Sequence, residues 1–336
     1  MNLPLFANKL ISLNKFCCMK KWMLGVVIVM VVLFAGVYVF IPNIIVVKKS
    51  VKVNISQPAI FRLLIESGQW NKGWPGSELI NAMTDTSQSV YFNGNSYSVT
   101  DKKYGSLILA IHHGADRIAN SALNIISISK DSVLLDWEAF IPSSYNPLQR
   151  LQRYQQSKKI KYDLGVLLGR MADYYLKPAN VYGINITQQS VTDSTLFFTY
   201  DSTKGYPATE HIYLLINQLK KYIASQQAEI TGYPMLNIYT KDSLTYLVKV
   251  ALPVDKRLPP SGKMAYKWML PGGNILIAEI KGDSKAINNA LKQMEYFIND
   301  YGRQAPAIPF LSLVTDRLQE RDSSKWVTRI YYPVMK

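Results

Sequence analysis

Aromatic residues are the side chains of this sequence best suited to bind a small molecule. They lie in alternating apolar runs of the C-terminal half, where strands are predicted: Tyr239, Tyr246, Tyr266, Trp268, Trp326 and Tyr331. Tyr266 and Trp268 share one strand face, because successive side chains of a strand point to opposite faces. An aromatic wall binds apolar bodies over large contact areas and binds cations at its ring faces. A plain core position is the competing interpretation for each of these residues.

Two charged residues stand out within these apolar strands. Glu279 lies inside the run ILIAEIKG, where its carboxylate is either a counter-ion for a ligand or a group that reaches solvent from the other sheet face. Lys249 lies four residues before Pro253. Its amine either meets a ligand or extends to the surface along its apolar stem.

The sequence shows no constellation of catalytic residues. Trp137 stands between Asp136 and Glu138 on a predicted strand that could line a cavity, but neither carboxylate has a visible partner for acid–base work. The adjacent His112 and His113 point to opposite strand faces and cannot grip one metal together. A Gly-x-Ser-x-Gly elbow and a phosphate-binding Gly-rich loop are both missing from the sequence. We therefore predict no catalytic residue, no metal and no cofactor.

A long apolar segment precedes all of these candidates. Residues 22–41 read WMLGVVIVMVVLFAGVYVFI and contain no charge, which is the length and composition of a helix that crosses the hydrocarbon core of a bilayer. A cleaved signal peptide is the rival interpretation, but the run is longer than the usual apolar region of such peptides and no small-residue cleavage site follows it. We expect an uncleaved anchor.

Charge beside this segment predicts the topology. Residues 1–21 carry four lysines and no acidic residue, so this N-tail is expected in the cytoplasm and the rest of the chain outside it. In a bacterium that places the folded part on the periplasmic side of the inner membrane. Met19 resembles a translation start, and the only cysteines, Cys17 and Cys18, lie in this tail. The folded part therefore has no thiol for a disulfide or a metal.

The chain is strongly basic. It has 38 Lys and Arg residues against 23 Asp and Glu residues, for a net charge of +15 in 336 residues. Such a surface suits anionic lipid headgroups. Nucleic acid is the other common partner of basic chains, but no helix-turn-helix, zinc or RNA-binding motif is visible and the basic residues are scattered. We predict a membrane partner and no nucleic acid.

Residues 48–178 have the pattern of an α+β helix-grip domain. A strand leads into a helix with Pro58 at its start, four strand-like runs follow between 89 and 141, and an apolar-striped helix is predicted from Lys161 to Leu176. The opening KKSVKVNISQPAIFRLLIESGQWNKGWPG and the closing KYDLGVLLGRMADYYL resemble the SRPBCC, or START-like polyketide cyclase, superfamily. That resemblance implies a lipophilic cavity between the sheet and the last helix.

Residues 180–336 contain an internal repeat. PMLNIYT at 234–240 and PFLSLVT at 309–315 are each preceded by a predicted helix and followed by a strand that ends in Pro-Val. Two copies of strand, helix, strand and strand predict a pseudo-twofold domain with a binding groove at the seam. TGYPMLNIYT, VKVALPV, MLPGGNILIAEIKGD and KWVTRIYYPV resemble the GyrI-like effector-binding domain.

The second resemblance implies an aromatic groove that takes apolar or cationic compounds, often beside a buried glutamate four residues before the first Pro-Val proline. Lys249 occupies that position here, which moves the expected preference towards anionic or neutral ligands. We therefore predict a membrane-anchored, non-catalytic binding protein for a hydrophobic or amphiphilic small molecule. A cyclase- or hydrolase-type enzyme and an envelope protein-interaction module are the alternatives.

Overall fold

The predicted α+β class is confirmed: an N-terminal helix is followed by two large antiparallel sheets with helices. The computed structural model describes residues 5–65, 74, 78–79, 89–191, 195–240, 242, 244–269 and 272–335, with the backbone alone for 5–21, 65, 78 and 79. Two compact units form. The first comprises Met1–Lys52, Gly73–Ile126 and Leu134–Ala172, and the second comprises Val53–Lys72, Ser127–Val133 and Asp173–Lys336. The domain limits 48–178 and 180–336 stay predictions.

Helix α1 (Leu5–Phe40) contains the apolar segment. Its part Trp22–Phe40 is 19 residues long with a mean hydropathy of 2.8, and none of it is buried in the folded protein. At a rise of 1.5 Å per residue this length matches the hydrocarbon core of a bilayer. By length and composition the helix is able to cross a membrane, a property that it shares with signal sequences.

The first sheet has seven strands in the order β1-β7-β6-β5-β4-β3-β2. Their bounds are β1 (Ile44–Val53), β2 (Glu78–Leu79), β3 (Ser89–Phe92), β4 (Asn95–Lys103), β5 (Ser106–His113), β6 (Asp116–Ser129) and β7 (Ser132–Pro142). Helix α2 (Gln57–Ile65) follows β1, and the long helix α3 (Pro147–Tyr175) follows β7. The layout is the predicted helix grip.

Two local predictions for this region were wrong. Residues 89–99 form a hairpin rather than one strand, because Asn93 and Gly94 both have positive φ, at 51° and 83°, and make the tight turn that suits paired strands. Helix α3 begins at Pro147 rather than near Lys161, since its polar first half lacks the apolar stripe on which the prediction relied. Most of residues 70–76, the end of the opening segment that carries the SRPBCC-like resemblance, lies outside the described residues.

The second sheet has eight strands in the order β12-β9-β11-β10-β14-β15-β13-β8. Their bounds are β8 (Thr187–Ser190), β9 (Thr195–Lys204), β10 (Met235–Thr240), β11 (Thr245–Val254), β12 (Ala265–Trp268), β13 (Asn274–Lys281), β14 (Phe310–Leu313) and β15 (Val327–Val334). Three helices belong to this part of the chain: α4 (Pro178–Tyr182), α5 (Thr209–Ser225) and α6 (Ser284–Asp300).

The predicted pseudo-twofold repeat is confirmed. Strands β9, β10 and β11 with α5 form one copy, and β13, β14 and β15 with α6 form the other. The two copies meet where β10 pairs antiparallel with β14, with Leu236 opposite Leu311. These leucines occupy the same position in the two repeats, so the pseudo-twofold axis passes between them. The seam of the domain therefore lies in the middle of the sheet.

One side of this sheet is covered by the repeat helices. Val248, Val250 and Leu252 of β11 alternate inward and share a buried core with Ile216 and Leu219 of α5. Helix α5 presents this apolar stripe because its buried residues recur at the helical spacing of three and four. The helix starts are thereby held over the seam strands.

A candidate ligand-binding cavity at the repeat seam

A cavity of about 390 Å³ lies at the seam of the second unit. Its walls come from both helix starts, from the seam strands and from the loop before β15: Tyr206, Pro207, Ala208, Thr209, Ile212, Leu236, Asn237, Ile238, Ser284, Ile287, Asn288, Leu291, Pro309, Leu311, Arg317 and Trp326. This volume falls within the range of small-molecule sites in proteins.

The two repeats contribute equivalent residues to the walls. Ile212 of α5 and Ile287 of α6 both lie three residues after the first residue of their helices, and Leu236 faces Leu311 across the seam. All four side chains are apolar. The cavity is therefore a property of the pairing of the repeats, and both repeats contribute apolar side chains to its wall.

Arg317 and Trp326 form the part of the wall that the loop before β15 supplies. The guanidinium carbon of Arg317 lies 4.7 Å from the ring centroid of Trp326, and its Nη2 donates to Thr328 Oγ1 at 2.9 Å. Burial lowers the pKa of the Arg317 guanidinium below its usual value, because a charge is less stable away from water. An arginine nevertheless stays charged at neutral pH.

The loop that carries these two residues is fixed by hydrogen bonds. The backbone N–H of Arg317 donates to the hydroxyl oxygen of Tyr213 at 2.7 Å, and Trp326 Nε1 donates to the carbonyl oxygen of Glu320 at 2.7 Å. Asp322 accepts from the backbone N–H of Ser324 at 3.0 Å and so begins the short 3-10 turn Ser323–Lys325. The positions of Arg317 and Trp326 are thus preorganised.

The two helix starts differ at their N-caps. Asp283 caps α6 by accepting from the backbone N–H groups of Lys285 and Ala286, each at 3.0 Å. The equivalent residue before α5 is Ala208, which has no side chain able to accept and which lines the cavity. Helix α5 therefore leaves first-turn N–H groups without a side-chain cap beside the cavity.

Asn237 borders the cavity between Leu236 and Ile238 of β10, and it pairs directly with Lys249 on β11, so its side chain takes the sheet face opposite to theirs. Its Nδ2 donates to the carbonyl oxygen of Pro309 at 2.7 Å across the seam. Its Oδ1 is buried and has no hydrogen-bond partner among the described residues. A buried acceptor without a partner is uncommon in folded proteins.

Of the sequence-predicted aromatics, Trp326 lines the cavity and Tyr246 lies next to its rim. The ring of Tyr246 makes an edge contact with the ring of Tyr206, with centroids 5.7 Å apart, and Tyr206 is a wall residue. Tyr266 and Trp268 lie on β12 at the edge of the sheet, where Tyr266 stacks under Arg257 and Trp268 is 51% exposed. The structure does not bring these two to the cavity.

Tyr239, Lys249, Glu279 and Tyr331 lie on the other face of the sheet. Lys249 alternates with the core residues Val248 and Val250, so it points away from the helices. Its Nζ lies 5.4 Å from the ring centroid of Tyr239. In the other repeat, Tyr331 stacks on Phe310 at 5.1 Å.

Glu279 and Lys249 differ in their cross-strand neighbours. Glu279 accepts from Nε of Arg329 at 2.8 Å in an exposed ion pair. Arg329 and Lys249 both precede the proline of their Pro-Val by four residues, but the neighbour of Lys249 on β9 is Tyr200. Lys249 has no carboxylate ion-pair partner among the described residues.

Trp137 lies in the first unit and is fully buried. Its ring contacts those of Trp74 and Tyr97 edge-on, with centroids 5.6 Å away in each case. Its neighbours on β7, Asp136 and Glu138, are both ion-paired with Lys48, at 2.8 and 2.6 Å. These side chains fill the site that the sequence offered as a cavity wall.

A buried carboxylate on α3 completes this cluster. Asp163 accepts from Asn93 Nδ2 at 2.9 Å, from Asn95 Nδ2 at 3.0 Å and from the hydroxyl of Tyr97 at 3.4 Å. Burial, together with the charge of Asp163, raises the pKa of the Tyr97 hydroxyl well above its usual value. Both carboxylate oxygens of Asp163 are occupied, so the group ties α3 to the β3–β4 hairpin.

The first unit also has a cavity, of about 530 Å³, next to the β7–α3 connection. Its walls are mainly polar and include Gln149, Gln152, Gln156 and Arg153 of α3. A wall of exposed amides binds water readily and offers little apolar area to a ligand. The smaller seam cavity is therefore the better candidate for a hydrophobic compound.

Sequence reasoning missed several residues of the seam cavity, above all Arg317 and Asn288. Alternating aromatic residues point to strands, whereas Arg317 lies in a loop and Asn288 lies near the start of helix α6. The repeat could have found them, because a groove at a twofold seam must use the helix starts that flank the seam strands.

No protein-family model and no curated protein matches the sequence. Parts of the chain are similar to solved structures. The EcmrR C-terminal domain is 16% identical in sequence, and the match covers 46% of this chain and 98% of that domain with a TM-score of 0.40. A hydrolase encoded by lin2189 from Listeria innocua has 13% identity, 45% and 91% coverage, and a TM-score of 0.34. SAV2435 bound to tetraphenylphosphonium has 17% identity, 45% and 94% coverage, and a TM-score of 0.32.

Proposed function

We propose that this chain is a membrane-anchored, non-catalytic binding protein that holds a hydrophobic or amphiphilic small molecule in the seam cavity. The observation that carries the proposal is the cavity itself: its volume is about 390 Å³, and its wall residues are mostly apolar and come from both repeats. The confirmed twofold repeat supports the resemblance to GyrI-like effector-binding domains. The helix-grip layout of the first sheet and α3 supports the resemblance to SRPBCC-like domains.

The junction between α1 and the first unit supports an anchor that is retained. The buried side chain of Arg150 donates from Nε to the carbonyl oxygen of Ile41 at 2.9 Å and from Nη2 to Asn43 Oδ1 at 3.0 Å. Its guanidinium also lies 4.9 Å from the ring centroid of Tyr38. The residues directly after the helix thus supply acceptors to a buried cation, and Tyr38 near the helix end contacts it, whereas a cleaved signal sequence is discarded after translocation.

A non-catalytic role is consistent with the chemistry of the seam cavity. Its described walls contain no carboxylate, histidine or cysteine that could act as an acid, base or nucleophile. In the first unit, Asp136 Oδ2 and Glu138 are ion-paired with Lys48, and Asp163 accepts from amide and hydroxyl donors, whereas Asp136 Oδ1 is buried without a hydrogen-bond partner among the described residues. Binding without turnover is therefore the function that these residues support best.

The test compares two tryptophan substitutions on α6. Asn288 is exposed and lines the cavity, and its neighbour Asn289 is exposed and does not. The full chain, Asn288→Trp and Asn289→Trp are purified from the native host, and bound small molecules are extracted and identified by mass spectrometry. We expect one compound at near-stoichiometric amount in the full chain and in Asn289→Trp, and its loss from Asn288→Trp, because the indole fills the cavity.

Two outcomes contradict the proposal. The same compounds at the same amounts in all three proteins would place binding elsewhere. No bound compound in any of them, together with an unchanged melting temperature in a panel of hydrophobic compounds, would favour the protein-interaction alternative. Resistance of the full chain to alkaline carbonate extraction from membranes tests the anchor separately.

A further inference from the structure

We propose that the seam cavity selects an amphiphile with an anionic head group, a carboxylate on an apolar body, and that Arg317 binds the head group. The inference rests on the proposed binding function and adds the charge of the ligand. Its basis is the composition of the cavity wall and the surroundings of one guanidinium.

Arg317 is the only charged residue among the described residues that line the cavity. The other wall residues are apolar or neutral. A ligand in this cavity therefore meets one positive charge and no negative charge, in surroundings where a partly desolvated charge interacts more strongly than it does in water.

Arg317 also lacks a carboxylate partner. The guanidinium of Arg317 contacts the Thr328 hydroxyl and the face of the Trp326 ring. It forms no ion pair with an acidic residue in the described part of the chain. The nearest acidic residues in sequence are engaged elsewhere. Asp316 accepts from the backbone of Leu318 at 3.0 Å, and Glu320 accepts from the backbone of Asp322 at 2.9 Å.

A guanidinium has five N–H donors in a planar fork that fits the two oxygens of a carboxylate. The recorded hydrogen bond to Thr328 uses one nitrogen of the fork, so donors remain for an anion. Stacking on Trp326 restricts the plane of the fork before a ligand arrives, which reduces the entropy cost of binding. The geometry thus favours a planar, two-oxygen anion over a neutral group.

The uncapped start of α5 adds to the positive electrostatic potential that Arg317 creates in the cavity. Ala208 lines the cavity, and the first-turn N–H groups of a helix carry partial positive charge. Glu210 lies in the same turn but is exposed and is not a wall residue. The local field of the helix start therefore has the same sign as Arg317.

The test uses matched probes and the full chain in lipid nanodiscs, with empty nanodiscs to subtract partitioning into lipid. Isothermal titration calorimetry measures the affinity for 2-naphthoate, its neutral match 2-naphthamide, and the cation 2-naphthylmethylammonium. Decanoate and decanamide form a second pair. Preference for naphthoate indicates a soluble aromatic acid as the natural ligand class, and preference for decanoate indicates a membrane-derived one.

We expect each anion to bind about tenfold or more tightly than its neutral match, since hydrogen bonds to charged groups contribute more than neutral ones. In Arg317→Gln the preference should disappear, while affinity for the neutral probes stays within about twofold. Arg257→Gln is the control, because Arg257 also stacks on an aromatic ring, that of Tyr266 at 4.9 Å, but lies outside the cavity wall. Melting temperatures of both variants verify that they fold.

Three results overturn the inference. The full chain binds each anion and its neutral match equally tightly, the preference for the anion survives in Arg317→Gln, or Arg257→Gln loses that preference to the same extent as Arg317→Gln. Neutral probes that bind the full chain and fail to bind Asn288→Trp would then leave the binding function in place without its charge selectivity. Failure of all five probes to bind would contradict both proposals.

Discussion

Arg62 donates to both carboxylate oxygens of Asp300, with Nη1–Oδ1 and Nη2–Oδ2 distances of 2.7 Å each. The pair joins α2 to the last residue of α6, two helices that lie far apart in the sequence. The hydroxyl of Tyr182 donates to the same carboxylate at 2.8 Å. The Arg62 and Asp300 side chains are only 15% and 5% exposed, so this is a buried ion pair whose charges depend on each other.

Removing one partner should therefore destabilise the fold. We expect Asp300→Ala to lower the free energy of unfolding by about 3–5 kcal/mol, because the Arg62 charge stays buried without its partner. Urea unfolding of the full chain, followed by tryptophan fluorescence, measures the change. The control is Glu279→Ala, which breaks the exposed pair with Arg329 and should cost no more than about 1 kcal/mol. Equal losses in the two variants would contradict the assignment.

Tyr182 gives the fold a pH dependence at alkaline pH. Burial, with the charge of Asp300, raises the pKa of its hydroxyl above the usual value. The folded state then retains a proton that the unfolded state releases above pH ~10, so stability is complete below pH ~10 and falls as pH rises further. We expect Tyr182→Phe to flatten this fall by up to about 1.4 kcal/mol per pH unit. The measurement is the slope of unfolding free energy against pH in the unsubstituted protein and in Tyr182→Phe. Equal slopes above pH ~10 would contradict the prediction, and equal slopes between pH ~7 and ~9 are the control.

Arg150 should hold the end of the first unit next to α1 together. Arg150→Met removes charged donors from the carbonyl oxygen of Ile41 and from Asn43, and we expect a loss of roughly 2 kcal/mol in unfolding free energy. Limited proteolysis in detergent should cut Arg150→Met near Pro42 faster than it cuts the unsubstituted protein there. Arg153→Met is the control, since Arg153 lies on the same helix and its recorded side-chain hydrogen bond is to Gln156. The same cleavage rate in Arg150→Met and Arg153→Met would contradict a stabilising role of the Arg150 hydrogen bonds to Ile41 and Asn43.

Asp163 should act as a structural group rather than as an acid. Asp163→Ala leaves the amide of Asn95 and the hydroxyl of Tyr97 buried without this acceptor, at a cost of about 3 kcal/mol in unfolding free energy. Asp173→Ala on the exposed face of the same helix should be nearly neutral. A stable Asp163→Ala protein would reopen a functional role for this carboxylate.

The α+β class, the apolar helix and the internal repeat were readable in the sequence because each depends on a local period. Twenty uncharged residues specify a helix of membrane length, and the matched segments PMLNIYT and PFLSLVT specify two copies of one unit. The Asn93–Gly94 turn was misread, since the run on both sides of it alternates as one strand would, and the start of α3 was placed too late, since its first half lacks an apolar stripe.

The site itself depended on which distant residues meet. Trp326 was found by its residue type, but Arg317 beside it carries no pattern in the sequence, and its role follows from a cavity wall that spans two helix starts and a loop. The buried pair of Arg62 and Asp300 is equally invisible before folding, because helical and strand periods specify which face a residue takes and not which residue lies across from it. Sequence thus determined the elements and their faces, and tertiary packing alone decided which charges are buried, paired or left free for a ligand.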